Sequence, residues 1–145
     1  MSPAGAITHI ADIPAPPEEV FGRLLDRARA GEIDSSFEYW RPRDWPPMVG
    51  TLNDFKAKAG PISMKGISRF AEFDPPHCLV IESVKPSWPI SIRMSWDLEQ
   101  VGDGTRYAYR MEAHAAAGFG WAARRMLETY DRSLAEDVVA LASLF

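Results

Sequence analysis

The chain alternates apolar and polar residues in two long runs and then changes to helical spacing. Ile90-Ser-Ile-Arg-Met-Ser-Trp-Asp-Leu98 places Ile90, Ile92, Met94, Trp96 and Leu98 on one face. Thr105-Arg-Tyr-Ala-Tyr-Arg-Met-Glu-Ala113 does the same with Tyr107, Tyr109 and Met111. Period-two alternation of this length predicts half-buried strands over 90–99 and 105–115, and Gly102 and Gly104 between them predict a hairpin. From residue 118 the apolar spacing becomes that of a helix. On a wheel with Met126 at the origin, the residues Phe119, Ala123, Leu127, Tyr130, Leu134, Val138, Leu141, Leu144 and Phe145 fall within an arc of roughly 120°. One charge breaks that stripe: Asp137 lies about 20° from Met126.

The rest of the chain divides by the same reading. Residues 6–13 predict a short strand closed by Pro14, Pro16 and Pro17. Residues 17–30 predict an amphipathic helix, with Pro17 in its first turn and Glu18 and Glu19 at its positive end. Residues 31–47 have no period, three prolines and four aromatics, and predict a packed loop. Strands follow at 49–58, 62–73 and 77–84, with the first two joined near Gly60-Pro61. The expected order is β-α-β-β-β-β-β-α in one domain spanning 1–145. With no βαβ alternation after the first helix, the class is α+β and the sheet is antiparallel.

Several local signatures accompany this order. Ile13-Pro-Ala-Pro-Pro-Glu-Glu-Val-Phe21 stands at the first strand-helix junction, and Val49-Gly-Thr51 opens the next strand. Glu72-Phe-Asp-Pro-Pro-His-Cys-Leu79 makes a turn, and Gly102-Asp-Gly-Thr-Arg106 makes the last hairpin. Together they resemble the START-like helix-grip superfamily, in its SRPBCC or polyketide cyclase/dehydrase-like branch. The resemblance spans nearly the whole chain. It implies a curved antiparallel sheet wrapped around the C-terminal helix, with a hollow between them. Members of this superfamily hold lipids, sterols, aromatic polyketides or other hydrophobic molecules, and some of them do chemistry.

The alternating faces supply the candidate wall of that hollow: Ile92, Met94, Trp96, Tyr107, Tyr109 and Met111 from the strands, and Met126, Tyr130 and Leu134 from the last helix. Methionine adapts its shape to a guest, and tyrosine and tryptophan add broad apolar faces with one polar tip. The same residues would otherwise simply fill a core. Trp40, Trp45, Met48 and Trp88 lie in predicted loops and are expected near an entrance, either as a lid or as a cap on the core. Trp121 is expected to anchor the strand-helix junction.

Candidate catalytic groups are few. Asp137 facing inward would resist ionisation and could act as acid, base or acceptor; near a helix end it would instead be wet or paired. Tyr107, Tyr109 and Tyr130 could present hydroxyls to a ligand carbonyl or phenol, or be core tyrosines satisfied by backbone. Arg69, together with Glu82, either points inward toward a polar ligand edge or forms an exposed cross-strand pair. Arg93 and Arg110 fall on the solvent side of their strands. Three histidines and one cysteine, Cys78, are scattered without ligand spacing, so no metal or cofactor is expected. Phosphate loops, dinucleotide fingerprints and nucleophile elbows are all missing from the sequence.

Charge and composition narrow the partners. A net charge of −4 argues against nucleic acid. No apolar run approaches the roughly 20 residues of a membrane span. The first residues lack the basic start and apolar stretch of a signal peptide, and the lone cysteine suits a reduced, cytoplasmic setting. Three functional readings follow. The first is binding of a hydrophobic or aromatic small molecule between sheet and helix. The second is a polyketide aromatase/cyclase-type enzyme using the same hollow. The third is a protein-interaction or homodimer module that uses Trp40, Trp45 and Trp88 as a contact patch.

Overall fold

The computed structural model describes residues 1–59 and 61–145. The chain runs β1 (Ser2–Ile13), α1 (Pro17–Arg29), β2 (Phe37–Pro42), β3 (Leu52–Ala59), β4 (Ile62–Asp74), β5 (Cys78–Lys85), β6 (Ile90–Val101), β7 (Gly104–Ala115) and α2 (Gly120–Ala142). The strands form one sheet in the order β1-β7-β6-β5-β4-β3-β2, and every neighbouring pair is antiparallel. The sheet is curved, and α2 lies across its concave side against β1 and β7 and reaches β3. Gly60, expected at the β3–β4 junction, lies outside the described residues.

Local chemistry accounts for most of these elements. Pro17 opens α1, where a missing N–H is harmless, with Glu18 and Glu19 in the first turn and Arg27 and Arg29 in the last, each complementing the helix dipole. Val20, Phe21, Leu24 and Ala28 bury one face of that helix. Gly102 takes the positive φ (60°) needed at the turn where Val101 faces Gly104, and this fixes the β6–β7 register. In that register Trp96 stands opposite Tyr109, Met94 opposite Met111, and Leu98 opposite Tyr107. The two strands therefore put their apolar rows on one face, the face α2 covers.

Two features differ from the expected order. The segment expected as a loop contains β2, an edge strand paired only with β3. A register irregularity between Phe37 and Tyr39 interrupts its alternation, and Trp40 is its single buried residue. The long helix is also shorter than its periodicity suggested. Phe119 and Leu144 fall outside it, 37% and 49% exposed: Gly118, with φ 86°, breaks the chain before Gly120, and the helix ends at Ala142 with Ser143 as its C-cap.

The interior has two ends. At one end, Phe21 of α1 meets Phe73, Phe73 meets Phe70, and Phe70 meets Trp40, with ring centroids 5.8–6.1 Å apart, and this end is closed. At the other end lie the start of β2, the end of β3, the start of β4, the end of β5, the start of β6 and the first half of α2. Here the packing is incomplete.

Candidate ligand cavity

Between α2 and the second end of the sheet lies a cavity of about 60 Å³. Its wall is Ile92 and Met94 of β6, Met111 of β7, Met126 and Tyr130 of α2, Phe55 and Ala57 of β3, Met64 and Ser68 of β4, Ile81 and Ser83 of β5, Phe37 of β2 and Ser36 just before it. Four methionines from four different elements thus face one space. Gly66 helps to shape it. A Cβ there would come within 2.5 Å of Phe55 Cζ, so the absence of a side chain lets the Phe55 ring lie over β4.

Of the nine wall candidates named from the sequence, Ile92, Met94, Met111, Met126 and Tyr130 line this space. The other four stand deeper. Trp96 and Tyr109 stack at 4.6 Å with their planes 19° apart and are fully buried. Tyr107 and Leu134 are buried in the same core. These residues fill the middle of the interior, so the hollow occupies one end of the groove and not its whole length. That is why the space is small beside the several hundred Å³ of a typical drug-sized site.

The opposite wall was not identified from the sequence, although part of its signal was present. Asn53-Asp-Phe-Lys-Ala-Lys58 alternates with Asn53, Phe55 and Ala57 inward and Asp54, Lys56 and Lys58 outward. The β4 wall is harder to read. Register shifts between Ile67 and Ser68, and again between Phe70 and Glu72, reset the alternation along that strand.

The expected entrance residues do not converge. Trp40 is fully buried, edge-on against Phe70, and belongs to the closed end. Trp45 and Met48 lie in the β2–β3 connection, which follows the Pro42–Asn53 pairing and so sits at the far end from the Phe37–Ala57 pairing beside the cavity. Trp45 is half-buried under the Arg29 guanidinium, 5.8 Å from the ring centroid, and Met48 is exposed. Trp88 is exposed and packs on Phe119, 5.9 Å away, beside the chain start. A shared patch of Trp40, Trp45 and Trp88 is therefore not formed.

The way in lies elsewhere. Ala57, Met64, Met126 and Tyr130 line both the cavity and a surface groove that continues past Trp121, Ala122, Arg125 and Thr129. Trp121 is 66% exposed on the rim of this groove, so it does not anchor the strand-helix junction. Its place follows from helical spacing: Trp121 and Arg125 are one turn apart on the flank of α2 that carries Met126.

Behind the cavity is a buried acidic centre. Asp34, in the α1–β2 connection, accepts hydrogen bonds from the Tyr109 hydroxyl, the Ser36 hydroxyl and, at 2.7 Å, the Ser36 backbone N–H. Asp137 of α2 accepts the Ser35 backbone N–H at 3.1 and 3.3 Å. Both acids are almost fully buried, 1% and 5% exposed. Burial pushes the Asp137 carboxyl up to about 6, and the negative charge of Asp34 adds to the shift. Burial also raises the hydroxyls of Tyr109, Tyr107 and Tyr130, so all three stay protonated and each can donate a hydrogen bond. Asp137 does not reach the cavity wall. Ser36 is the link between this centre and the hollow, since it binds Asp34 and lines the cavity.

Arg69 lies on the other side of the sheet. Its guanidinium binds Glu82 at 2.7 Å across the β4–β5 pairing, and Arg93 binds the same Glu82 and Glu72 at 3.3 Å. Ser68 and Phe70, its neighbours along β4, face inward, so alternation sends Arg69 outward and away from any ligand. Among the described residues, no cluster of three or more His, Cys, Asp or Glu could hold a metal ion. No helix among the described residues is long and apolar enough to cross a membrane.

Comparison with known proteins agrees with this geometry. The family model described as "Polyketide cyclase / dehydrase and lipid transport" matches residues 5–142. A search of curated proteins finds no match. Among solved structures, the Zhui aromatase/cyclase from Streptomyces sp. R1128 superposes with a TM-score of 0.76 at 16% identity, over 97% of this chain and 92% of that one. The protein Ara h 8.0201 superposes with a TM-score of 0.69 at 9% identity, over 97% and 99% of the two chains. The di-domain aromatase/cyclase StfQ of the steffimycin pathway gives 0.74 at 11% identity, over 97% of this chain and 49% of that one. At such identities these likenesses speak for the fold alone.

Proposed function

The chain belongs to the polyketide cyclase/dehydrase and lipid transport family, and on that premise we propose that it holds a hydrophobic or aromatic small molecule in the cavity between α2 and the sheet. The observation that carries the proposal is the ring of Met64, Met94, Met111 and Met126 around a space that opens to the surface. Thioether side chains are unbranched and pack against aromatic rings, so they can yield room to a flat guest without opening a void elsewhere. Apolar burial would then supply affinity at roughly 25 cal/mol per Å² removed from water. The family description, polyketide cyclase/dehydrase and lipid transport, supports a polyketide-like or lipid-like guest.

A binding role is favoured over a cyclase-type reaction by the make-up of the wall. Among the described lining residues Tyr130 is the single titratable group, and Asp34 and Asp137 stand behind them. The undivided Cys78, with no partner cysteine in the chain, accords with a reducing, cytoplasmic setting.

Calorimetric titration with tetralin, a bicyclic hydrocarbon, tests the proposal. Saturable binding is expected in the wild type, and loss of it in Ala57→Leu, where the added carbons enter the cavity beside Met64. A wild-type protein that takes up neither tetralin nor its ketone 1-tetralone contradicts the proposal.

A further inference from the structure

Four hydroxyls face the cavity, from Ser36, Ser68, Ser83 and Tyr130. Two are already committed. The Ser36 hydroxyl donates to Asp34. Ser83 stands where the β5–β6 ladder has ended at Glu82 and Arg93, and its hydroxyl replaces the missing rung: it donates to the Ile92 carbonyl at 3.2 Å and accepts the Ile92 N–H at 3.1 Å. Neither can turn to a guest without abandoning a protein partner.

Ser68 and Tyr130 are different. The Ser68 oxygen accepts from Asn53 Nδ2 at 3.2 Å, and its own hydrogen has no acceptor among the described residues. Tyr130 has no hydrogen-bond partner among the described residues. Asn53 is fully buried, and its Oδ1 is left without a donor. A buried amide with half its capacity unused is unusual in a folded protein and calls for a reason. Here the amide N–H occupies one side of the Ser68 oxygen, and Ser68 lines the cavity, so its hydrogen is available to a guest. Ser68 reaches that space from β4 and Tyr130 from α2, on opposite walls.

We infer that Ser68 and Tyr130 are the donors that orient a carbonyl-bearing guest, an aromatic or alicyclic ketone of the flat apolar kind, with Asn53 as the positioning residue for Ser68. The inference rests on the cavity being the ligand site and adds the polar chemistry that the guest must carry. Two donors facing each other across an apolar space favour a molecule with acceptor oxygens on its edge over a pure hydrocarbon. A donor left unpaired against hydrocarbon loses the hydrogen bond that water would give it, which makes the pair a selectivity device.

The test compares 1-tetralone with tetralin, which differ by one carbonyl, in wild type, Ser68→Ala, Tyr130→Phe and Asn53→Leu. Ser68→Ala is expected to weaken 1-tetralone about tenfold and to leave tetralin within about twofold. Tyr130→Phe is expected to show the same selective loss. Asn53→Leu should lower 1-tetralone affinity while Ser68 is intact, and the infrared carbonyl band of bound 1-tetralone should move toward its value in Ser68→Ala. Equal affinities for 1-tetralone in wild type, Ser68→Ala and Tyr130→Phe, or losses shared equally by tetralin, would overturn the inference while the cavity stands. Failure of the wild type to bind either compound would overturn the cavity and the inference together.

Discussion

The carboxylate of Asp137 accepts the backbone N–H of Ser35 at 3.1 Å, tying the second half of α2 to the connection that carries Ser36 and Phe37 to the cavity wall. The residues are 102 positions apart, so the bond exists only in the folded chain. It forms in a setting hostile to charge. Desolvation and the nearby Asp34 raise this carboxyl from 3.8 to about 6, against the opposing pull of the Ser35 bonds and of Arg27.

A pH dependence follows. The folded state holds the Asp137 proton up to about 6, whereas the unfolded chain releases it near 3.8, so the folded state binds more protons between those values. The contribution of this group is therefore most favourable below 3.8 and is lost as pH rises through about 6. Asp137→Asn keeps an oxygen for the Ser35 N–H and cannot ionise. Denaturant unfolding from pH 4 to 7.5 should show Asp137→Asn gaining on wild type by about 2–3 kcal/mol across that range. A difference between the two proteins that does not change with pH would contradict the assignment.

Tyr109 is the other support of the acidic centre. Its hydroxyl binds Asp34, and its ring stacks on Trp96 at 4.6 Å. Tyr109→Phe keeps the stack and strips Asp34 of one donor, so a loss of about 1–3 kcal/mol is expected in urea unfolding. Because Tyr109 stands outside the cavity wall, tetralin affinity should stay within about twofold of wild type, a margin small against the tenfold change that 1.4 kcal/mol would make.

The tryptophans and Met48 were grouped together from the sequence, and the structure separates them. Trp40 is fully buried against Phe70, while Met48 is 68% exposed. Trp40→Ala should therefore lower stability by about 3–5 kcal/mol. Met48→Ala should fall within about 0.5 kcal/mol of wild type. Thermal and urea unfolding of the two variants checks the contrast, and similar losses in both would show that the residues share an environment.

How much of this was legible depends on how each residue declares its face. The alternation through Ile92, Met94 and Met111 is uninterrupted because β6 and β7 run twelve residues each in unbroken register, so those wall residues could be read directly. Met126 and Tyr130 follow from helical spacing. Strand β2 could not be read: six residues at the sheet edge, with an irregular start and one buried side chain, carry no period. Trp96 and Tyr107 share a face with Met94 and Met111, but the sequence does not say where along that face packing ends and space begins. The boundary is set by Asp34, whose connection drops into the groove and takes the Tyr109 hydroxyl. Nothing in the spacing of residues 31–36 announces that descent. Asn53 and Ser68 were missed for a related reason, since a buried amide beside a serine is invisible until β3 and β4 are paired in register.

The central claim is that a guest enters the space ringed by methionines. The chain has six, all of which can carry a ¹³C-labelled methyl group. Met64, Met94, Met111 and Met126 face the cavity, while Met1 and Met48 are exposed and lie outside it. Titrating the methyl-labelled protein with tetralin should shift the four cavity signals and leave those of Met1 and Met48 in place. Six unmoved signals, or shifts confined to Met1 and Met48, would contradict the account.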